Sequence, residues 1–310
     1  MKYNRVIRAF ASMPWAIVPE KLMQISEFLE LAASGVKLTA EEIAGRITPA
    51  RERKVAEAKG GVAVIPVVGI VSQRGGNMEE VSGPMGVATE RISRQLRMAL
   101  ADQEVKAVLL DVDSPGGTVS GVEELSAEIF NARGGKPIVA VANSLMASAA
   151  YWIGTAADEL VVTPGGEVGS IGVWAAHLDQ SKWMEMQGLT PTLISAGKFK
   201  AETHPWFPLS DDAKAHLQEE VDHFYEMFVA AVARNRAVSE KRVRDEFGEG
   251  LTVTAEKAVK LGMADRVGTL RETIERFGVS SGPGPARRNG ASQPINRMQR
   301  ALRYQEIVQP

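Results

Sequence analysis

The chain has 310 residues, no cysteine and a formal net charge of −2. Its length suggests about two domains. Its 45% apolar and 24% charged residues are typical of a folded protein, not of a disordered, collagenous or coiled-coil one. Without cysteine the chain forms no disulfide and has no thiolate nucleophile or metal ligand. The charge balance argues against a general nucleic-acid-binding protein, which is usually strongly basic.

The sequence predicts neither a membrane span nor an export signal. The longest uncharged stretch, residues 137–157, contains proline, asparagine, serines and many alanines, whereas a span needs about 20 mostly apolar residues. Basic residues precede a short apolar stretch near the N-terminus, but Pro14 interrupts it. We therefore expect a soluble intracellular protein with no membrane partner.

Three parts follow one another along the chain. Residues 1–58 show no strand pattern; they suggest an amphipathic helix near residues 25–31, a second short helix at the capping box Thr39–Glu42, and a charged linker. Residues 59–278 form the predicted main domain. Residues 279–310 are rich in Ser, Gly, Pro and Arg, and we expect them to be a mobile basic tail.

The main domain alternates strand and helix patterns. Apolar, β-branched runs predict six strands, at residues 61–71, 105–114, 137–143, 159–163, 170–176 and 190–195. Helical spacing predicts helices over residues 91–100, near 119–129, from about 147, after the cap Ser210, and as a last short helix from Thr254 to Gly262. Continuous apolar strands between helices predict an α/β fold with a parallel sheet covered on both faces.

A glycine turn, Asp113–Gly117, comes where the second strand meets a helix. Adjacent glycines allow positive φ and close approach to a ligand, and exposed N–H groups at such a turn bind anions or oxyanions. Taken alone, the motif is better explained as a tight turn without chemistry. The dinucleotide and P-loop glycine patterns are missing.

Ser148 is the candidate nucleophile, because it follows the third strand and opens a helix between small alanines. By itself it also suits a helix cap or a packed small residue. A serine nucleophile needs a base within reach. His177 is one option; Lys198 and Lys200 are the other, although lysine acts as a base only when burial keeps it neutral. Phe199 and Trp206, close in sequence, are candidates for such a pocket.

Four motifs in order resemble the signal peptide peptidase family of Ser/Lys proteases: Ser114–Gly117, Met146–Tyr151, Gly169–Val173 and Ser195–Lys200. The resemblance covers residues 60 to 267. It implies a ClpP/crotonase-like α/β fold of repeated ββα units, here with a small helical N-terminal segment in front.

The resemblance also implies roles for single residues. Ser148 becomes the nucleophile, and Lys200 the general base, because it fills the last lysine position of the family's G-x-x-K pattern. The backbone N–H of Gly116 or Gly117 forms the oxyanion hole with a second N–H.

That second N–H belongs to Ala149, and Ser170 is implied to hold the lysine ammonium. No metal or cofactor is expected. The chain departs from bacterial members in its alanines after the serine and in lacking a membrane anchor. Segments near residues 10–13, 176–177 and 204–206 are more similar to the phage capsid-assembly (prohead) branch.

The leading interpretation is a serine endopeptidase with a Ser/Lys dyad that matures phage heads. Its expected partners are protein or peptide substrates such as phage capsid, scaffold or portal proteins, and its expected location is the host cytoplasm or the prohead. The alternatives are a soluble bacterial peptidase that degrades signal peptides or oligopeptides, a crotonase-type acyl-CoA enzyme, and a non-catalytic scaffold. The family implies a homo-oligomer, with the dyad built across neighbouring subunits or with subunits packed edge to edge, and the apolar face of residues 211–236 suits a partner.

Overall fold

The computed structural model of the chain describes residues 14–19, 61–74 and 86–278. The two helices predicted before residue 58, the charged linker and the basic tail lie outside these residues. The described strands, in chain order, are β1 (Trp15–Ile17), β2 (Val62–Val68), β3 (Ile70–Ser72), β4 (Gly86–Ala88), β5 (Ala107–Ser114), β6 (Gly116–Thr118), β7 (Ile138–Ala147), β8 (Glu159–Val162), β9 (Glu167–Gly169), β10 (Thr252–Thr254) and β11 (Arg266–Val267).

The described helices surround these strands. They are α1 (Thr89–Ala101), α2 (Val122–Ala132), α3 (Ala149–Thr155), α4 (Ser181–Met186), α5 (Asp211–Arg236), α6 (Glu240–Glu246), α7 (Ala255–Leu261) and α8 (Leu270–Phe277). None of them is long and apolar enough to cross a lipid bilayer.

The larger sheet is built on four parallel strands in the order β2-β5-β7-β8. Their apolar, β-branched residues are buried on both faces, which is why they form continuous hydrophobic runs in the sequence. The far end of β7 pairs with β9 in parallel, β9 pairs with β10 in antiparallel fashion, and β11 adds to β8. This confirms the predicted parallel sheet.

A smaller sheet of four strands has the order β1-β6-β3-β4. Strand β6 runs parallel to β3 and antiparallel to β1. Gly117 is required here because a Cβ at this position would collide with the backbone of Val71 on β3. The chain repeatedly makes a strand in each sheet and then a helix, as in β5-β6-α2, and this confirms the predicted α/β fold of ββα units.

Helix α3 is the most deeply buried of the described helices and begins where the central strand β7 ends. All seven of its residues are buried. The ring of Trp152 stacks on Phe228 of α5 with centroids 4.6 Å apart, and the Tyr151 hydroxyl donates to the Met263 carbonyl at 2.9 Å. The start of α3 is therefore fixed by contacts on several sides.

Four predictions of local structure are wrong. Residues 170–176 do not form a strand, because Gly169 (φ 117°) and Ser170 (φ 54°) turn the backbone out of the extended conformation. Residues 190–195 lie outside regular structure and pair with no strand among the described residues. The first 58 residues do contain a strand, β1. The helix after Thr254 is followed by α8, so it is not the last one.

Two predicted caps have different outcomes. The Ser210 hydroxyl accepts a hydrogen bond from the Ala213 N–H at 3.1 Å and caps α5 as predicted. Thr254 stands at the N-cap of α7, but its side chain accepts no capping hydrogen bond.

A candidate active site at Ser148

Ser148 lies at the junction of β7 and α3, in a strained backbone conformation. Its φ of 53° and ψ of −121° fall outside the regions that L-residues usually populate, at a cost of about 1–3 kcal/mol. Its N–H donates to the Gly169 carbonyl at 2.7 Å, and its carbonyl accepts from the Trp152 N–H at 2.9 Å. These hydrogen bonds keep the serine in a backbone conformation that it would not adopt without them.

The Ser148 hydroxyl is not used to cap the helix. No side-chain capping bond is present at α3, and among the described residues the hydroxyl has only a long contact of 3.5 Å to the Gly172 carbonyl. The interpretation of this serine as a helix cap is therefore wrong. The first-turn N–H of Ala149 has no acceptor within the helix, so a hydroxyl and a backbone donor lie side by side.

The glycine turn adjoins this serine. Gly116 has a φ of 100°, and a Cβ at this position would lie 2.9 Å from the Cβ of Ser148. The Gly116 N–H donates to the Ser114 hydroxyl at 3.2 Å, which in turn donates to the Gly69 carbonyl at 2.6 Å. The Gly116 N–H is engaged within its own turn, whereas Gly117 lies on β6 opposite β1, so Gly117 is the better candidate for an oxyanion donor.

Ser170 is linked to Ser148 through the backbone of Gly169. It directly follows Gly169, whose carbonyl accepts from the Ser148 N–H, and its own N–H donates to the Leu251 carbonyl at 2.9 Å. Ser170 is buried and has a φ of 54°. The structure therefore brings the serine, the glycine turn and Ser170 together.

Lys200 does not join this group within one chain. It is exposed on the irregular segment between α4 and α5, where its N–H donates to the Gly197 carbonyl at 3.2 Å. In the part of the chain that the structure describes, its side chain makes no hydrogen bond or ion pair. Lys198 instead forms an ion pair with Asp212 at 2.6 Å, which leaves Lys200 as the uncommitted lysine.

The predicted aromatic pocket around Lys200 is also wrong for a single chain. The Phe199 ring stacks on His216 with centroids 5.6 Å apart. The Trp206 ring contacts His204 edge-on, with centroids 4.3 Å apart. Among the described residues, His177, the other candidate base, directs Nε2 at the Phe207 carbonyl at 3.2 Å and makes no contact with Ser148.

A metal site is not formed by the described residues: no three His, Asp or Glu side chains lie close enough together there to hold an ion.

The sequence did not indicate that β1 lies beside the serine. Ala16 of β1 packs against the Gly116 turn, and only the antiparallel pairing in the structure reveals this neighbour.

The chain is similar in sequence to two phage proteins. The chain is 33% identical over 249 residues to the protein named capsid assembly protease C of Escherichia phage lambda, covering 78% of this chain and 56% of that protein. It is 32% identical over 236 residues to the head-tail preconnector protein GP5 of Enterobacteria phage P21, covering 76% of this chain and 46% of that protein. The chain thus spans about half the length of these relatives.

One solved structure, a ClpP1 variant from Listeria monocytogenes, is similar with a TM-score of 0.43 and 13% identity, over 68% of this chain and 94% of that one. The model described as peptidase family S49 matches residues 131–281, which include both Ser148 and Lys200. The match to the model of peptidase family S49 confirms the resemblance predicted from the four motifs.

Proposed function

We propose that this chain is a serine endopeptidase with Ser148 as its nucleophile. The observation that carries the proposal is the strained serine at the β7–α3 junction, with an uncommitted hydroxyl against a glycine turn. Strain of this kind persists only where the surrounding structure imposes it, and it concentrates at functional sites.

The geometry suits acyl transfer. The Ser148 Oγ attacks the carbonyl carbon of a peptide bond, its proton passes to a base, and the carbonyl oxygen becomes an oxyanion. The N–H groups of Gly117 and Ala149 are the proposed donors to that oxyanion, and such donors stabilise the transition state strongly when they are fixed in advance. The amine then leaves with the proton, and water releases the acyl group.

Lys200 is the proposed base. We propose that the lysine that serves each Ser148 comes from a neighbouring copy of the chain. A lysine must be neutral to accept a proton, which requires burial, whereas Lys200 is exposed in the single chain. The segment that leads to Lys200 in the sequence has an exposed apolar surface as well, made by Trp183, Met186, Leu189, Ile194 and Phe199. A second copy that covers this surface would bury the apolar groups and the lysine together.

Phage head proteins are the proposed substrates. Support comes from the two phage relatives, whose names refer to capsid assembly and to the head-tail preconnector. Digestion of purified phage head proteins, compared with digestion of signal peptides, tests this part. Cleavage of signal peptides alone would favour the bacterial type of peptidase.

Covalent labelling tests the nucleophile. A fluorophosphonate probe should modify wild-type protein at the peptide that contains Ser148, as mapped by mass spectrometry, and should not modify Ser148→Ala. Ser144→Ala is the matched control, because Ser144 lies exposed on the same strand, also with a positive φ, and should label like wild type. Equal labelling of Ser148→Ala would contradict the assignment.

A further inference from the structure

Strand β1 is inserted between two backbone edges beside Ser148. On one side the Trp15 N–H donates to the Trp174 carbonyl at 2.8 Å, and the Trp174 N–H donates back at 3.0 Å. On the other side β1 pairs in antiparallel fashion with β6, the strand formed by the glycine turn. A short peptide held on both edges in this way has the backbone pairing of an added strand.

The register directs the Ala16 carbonyl at the proposed oxyanion donor. The Val18 N–H donates to the Pro115 carbonyl at 3.0 Å, which makes Val18 and Pro115 a hydrogen-bonded pair. Such pairs alternate along an antiparallel ladder, so Ala16 and Gly117 are the next one. The Gly117 N–H therefore already donates to the Ala16 carbonyl.

The same carbonyl lies next to the nucleophile. A Cβ placed on Gly116 would lie 2.2 Å from the Ala16 oxygen and 2.9 Å from the Ser148 Cβ, so these two atoms are within about 5 Å of each other. Ser148 is only 1% exposed and Ala16 is fully buried. With β1 in place, a peptide from outside can reach neither the hydroxyl nor the Gly117 N–H.

Two large side chains anchor the strand. Trp15 and Ile17 are 1% and 2% exposed and form an apolar cluster with Ile70 and Trp174. The Trp174 indole also donates to the Ile17 carbonyl at 3.1 Å. Ala16 between them has its side chain in the main core. Residues 15–17 thus present a bulky, a small and a bulky side chain in extended form.

We propose that β1 is an intramolecular substrate mimic, which occupies the groove of this chain and keeps Ser148 inaccessible until it leaves. This inference rests on the proposed function. It also defines the class of peptide that displaces β1: an extended segment with a small residue opposite Gly117 and apolar residues on both sides of it.

A reversible lock tests the proposal, because the chain has no cysteine of its own. Trp15 and Thr118 are a non-hydrogen-bonded pair, whose Cα atoms are about 4.5 Å apart in such ladders, within the range that a disulfide bridges. The variant with Trp15→Cys and Thr118→Cys removes one anchor when reduced and ties β1 in place when oxidised. The measurement is the rate of fluorophosphonate labelling at Ser148, with circular dichroism to check the fold.

We expect the oxidised form to label more slowly than the reduced form by about tenfold or more, because reactivity scales with the fraction of open molecules. Trp15→Cys alone, under the same oxidant and reductant, should label fast in both. A synthetic peptide of residues 13–19 should slow the reduced form, and a scrambled peptide should not. Equal rates in the two redox states would overturn the proposal, whereas no labelling of any form would instead reject the assignment of Ser148.

Discussion

The surroundings of Ser148 and those of Lys200 differ in almost every respect. Ser148 sits between a central strand and a buried helix, and hydrogen bonds on both sides fix its backbone. Lys200 lies in an irregular, exposed segment, and its only described hydrogen bond is made by its own N–H. On the proposed function, one chain therefore preforms the proposed nucleophile and oxyanion donors, and assembly positions the proposed base.

Mixing two inactive variants tests this division most directly and has the largest expected effect. Ser148→Ala and Lys200→Met should each lose several orders of magnitude in peptide hydrolysis, because nucleophile and base act as a unit. Co-refolded in equal amounts, they should recover about a quarter of wild-type activity, the chance that an intact serine meets an intact lysine in a random assembly.

The mixed sample is compared with each variant refolded alone at the same total concentration. Activity no greater than that of the single variants would show that serine and lysine come from the same chain, or that Lys200 is not the base.

Exchange of a single lysine sharpens the assignment of the base. Lys200→Arg should be inactive, because a guanidinium keeps its charge and cannot accept a proton. Lys198→Arg is the matched control, since it preserves the exposed ion pair with Asp212, and pairs of this kind contribute about 0–1 kcal/mol. Turnover of a peptide substrate is the measurement; an active Lys200→Arg with an inactive Lys198→Arg would reverse the roles.

A methyl group on the glycine turn should lower the stability of the fold next to Ser148. Gly117→Ala places a Cβ against the backbone of Val71, and such overpacking costs about 1–3 kcal/mol or more. Gly165→Ala should leave stability nearly unchanged, because its Cβ would meet no atom within 4 Å. Urea unfolding at neutral pH measures both, and equal midpoints would mean that β6 is not tightly packed.

Acid sensitivity is the smallest expected effect. Glu159 is half-buried at the edge of β8, which by itself raises its pKa, but hydrogen bonds from Arg276 and Arg266 outweigh this and hold the pKa below its usual value. A lowered folded-state pKa stabilises the fold above the unfolded pKa of about 4.3, and this contribution disappears as the pH falls through the lower, folded value.

Glu159→Gln should therefore lower the free energy of unfolding at pH 7, on the order of 1 kcal/mol, and the difference from wild type should shrink near pH 3. Urea unfolding at the two pH values measures it. A constant difference would show that packing, and not charge, explains the effect.

The sequence predicts the larger sheet well and the smaller one poorly. Strands β5 and β7 are long, apolar and buried on both faces, so their pattern is visible without a structure. Strand β6 is Gly-Gly-Thr and β1 is three residues long. Neither strand shows an alternation of apolar and polar residues that could be recognised in the sequence, because backbone pairing with neighbouring strands, and not a side-chain pattern, holds them in place.

The candidate site divides in the same way. Ser148 and the glycine turn were found from their position at the ends of strands, where parallel topology brings them together. The positive φ of Ser148 and the engagement of Gly116 by Ser114 depend on tertiary contacts, and no local pattern encodes them. The exposure of Lys200 was missed because aromatic residues near it in sequence pack against histidines instead.

Helix α5 has a further consequence for how an assembly can be followed. Its 26 residues extend over about 39 Å, yet nearly all its buried residues lie from Phe228 onward. The N-terminal half, which lies next to the segment that carries Lys200, therefore packs against little of the chain and is held mainly through the C-terminal half. Its backbone amides should exchange with deuterium quickly in isolated chains and slowly once copies associate, which would give a clock for assembly that needs no substrate.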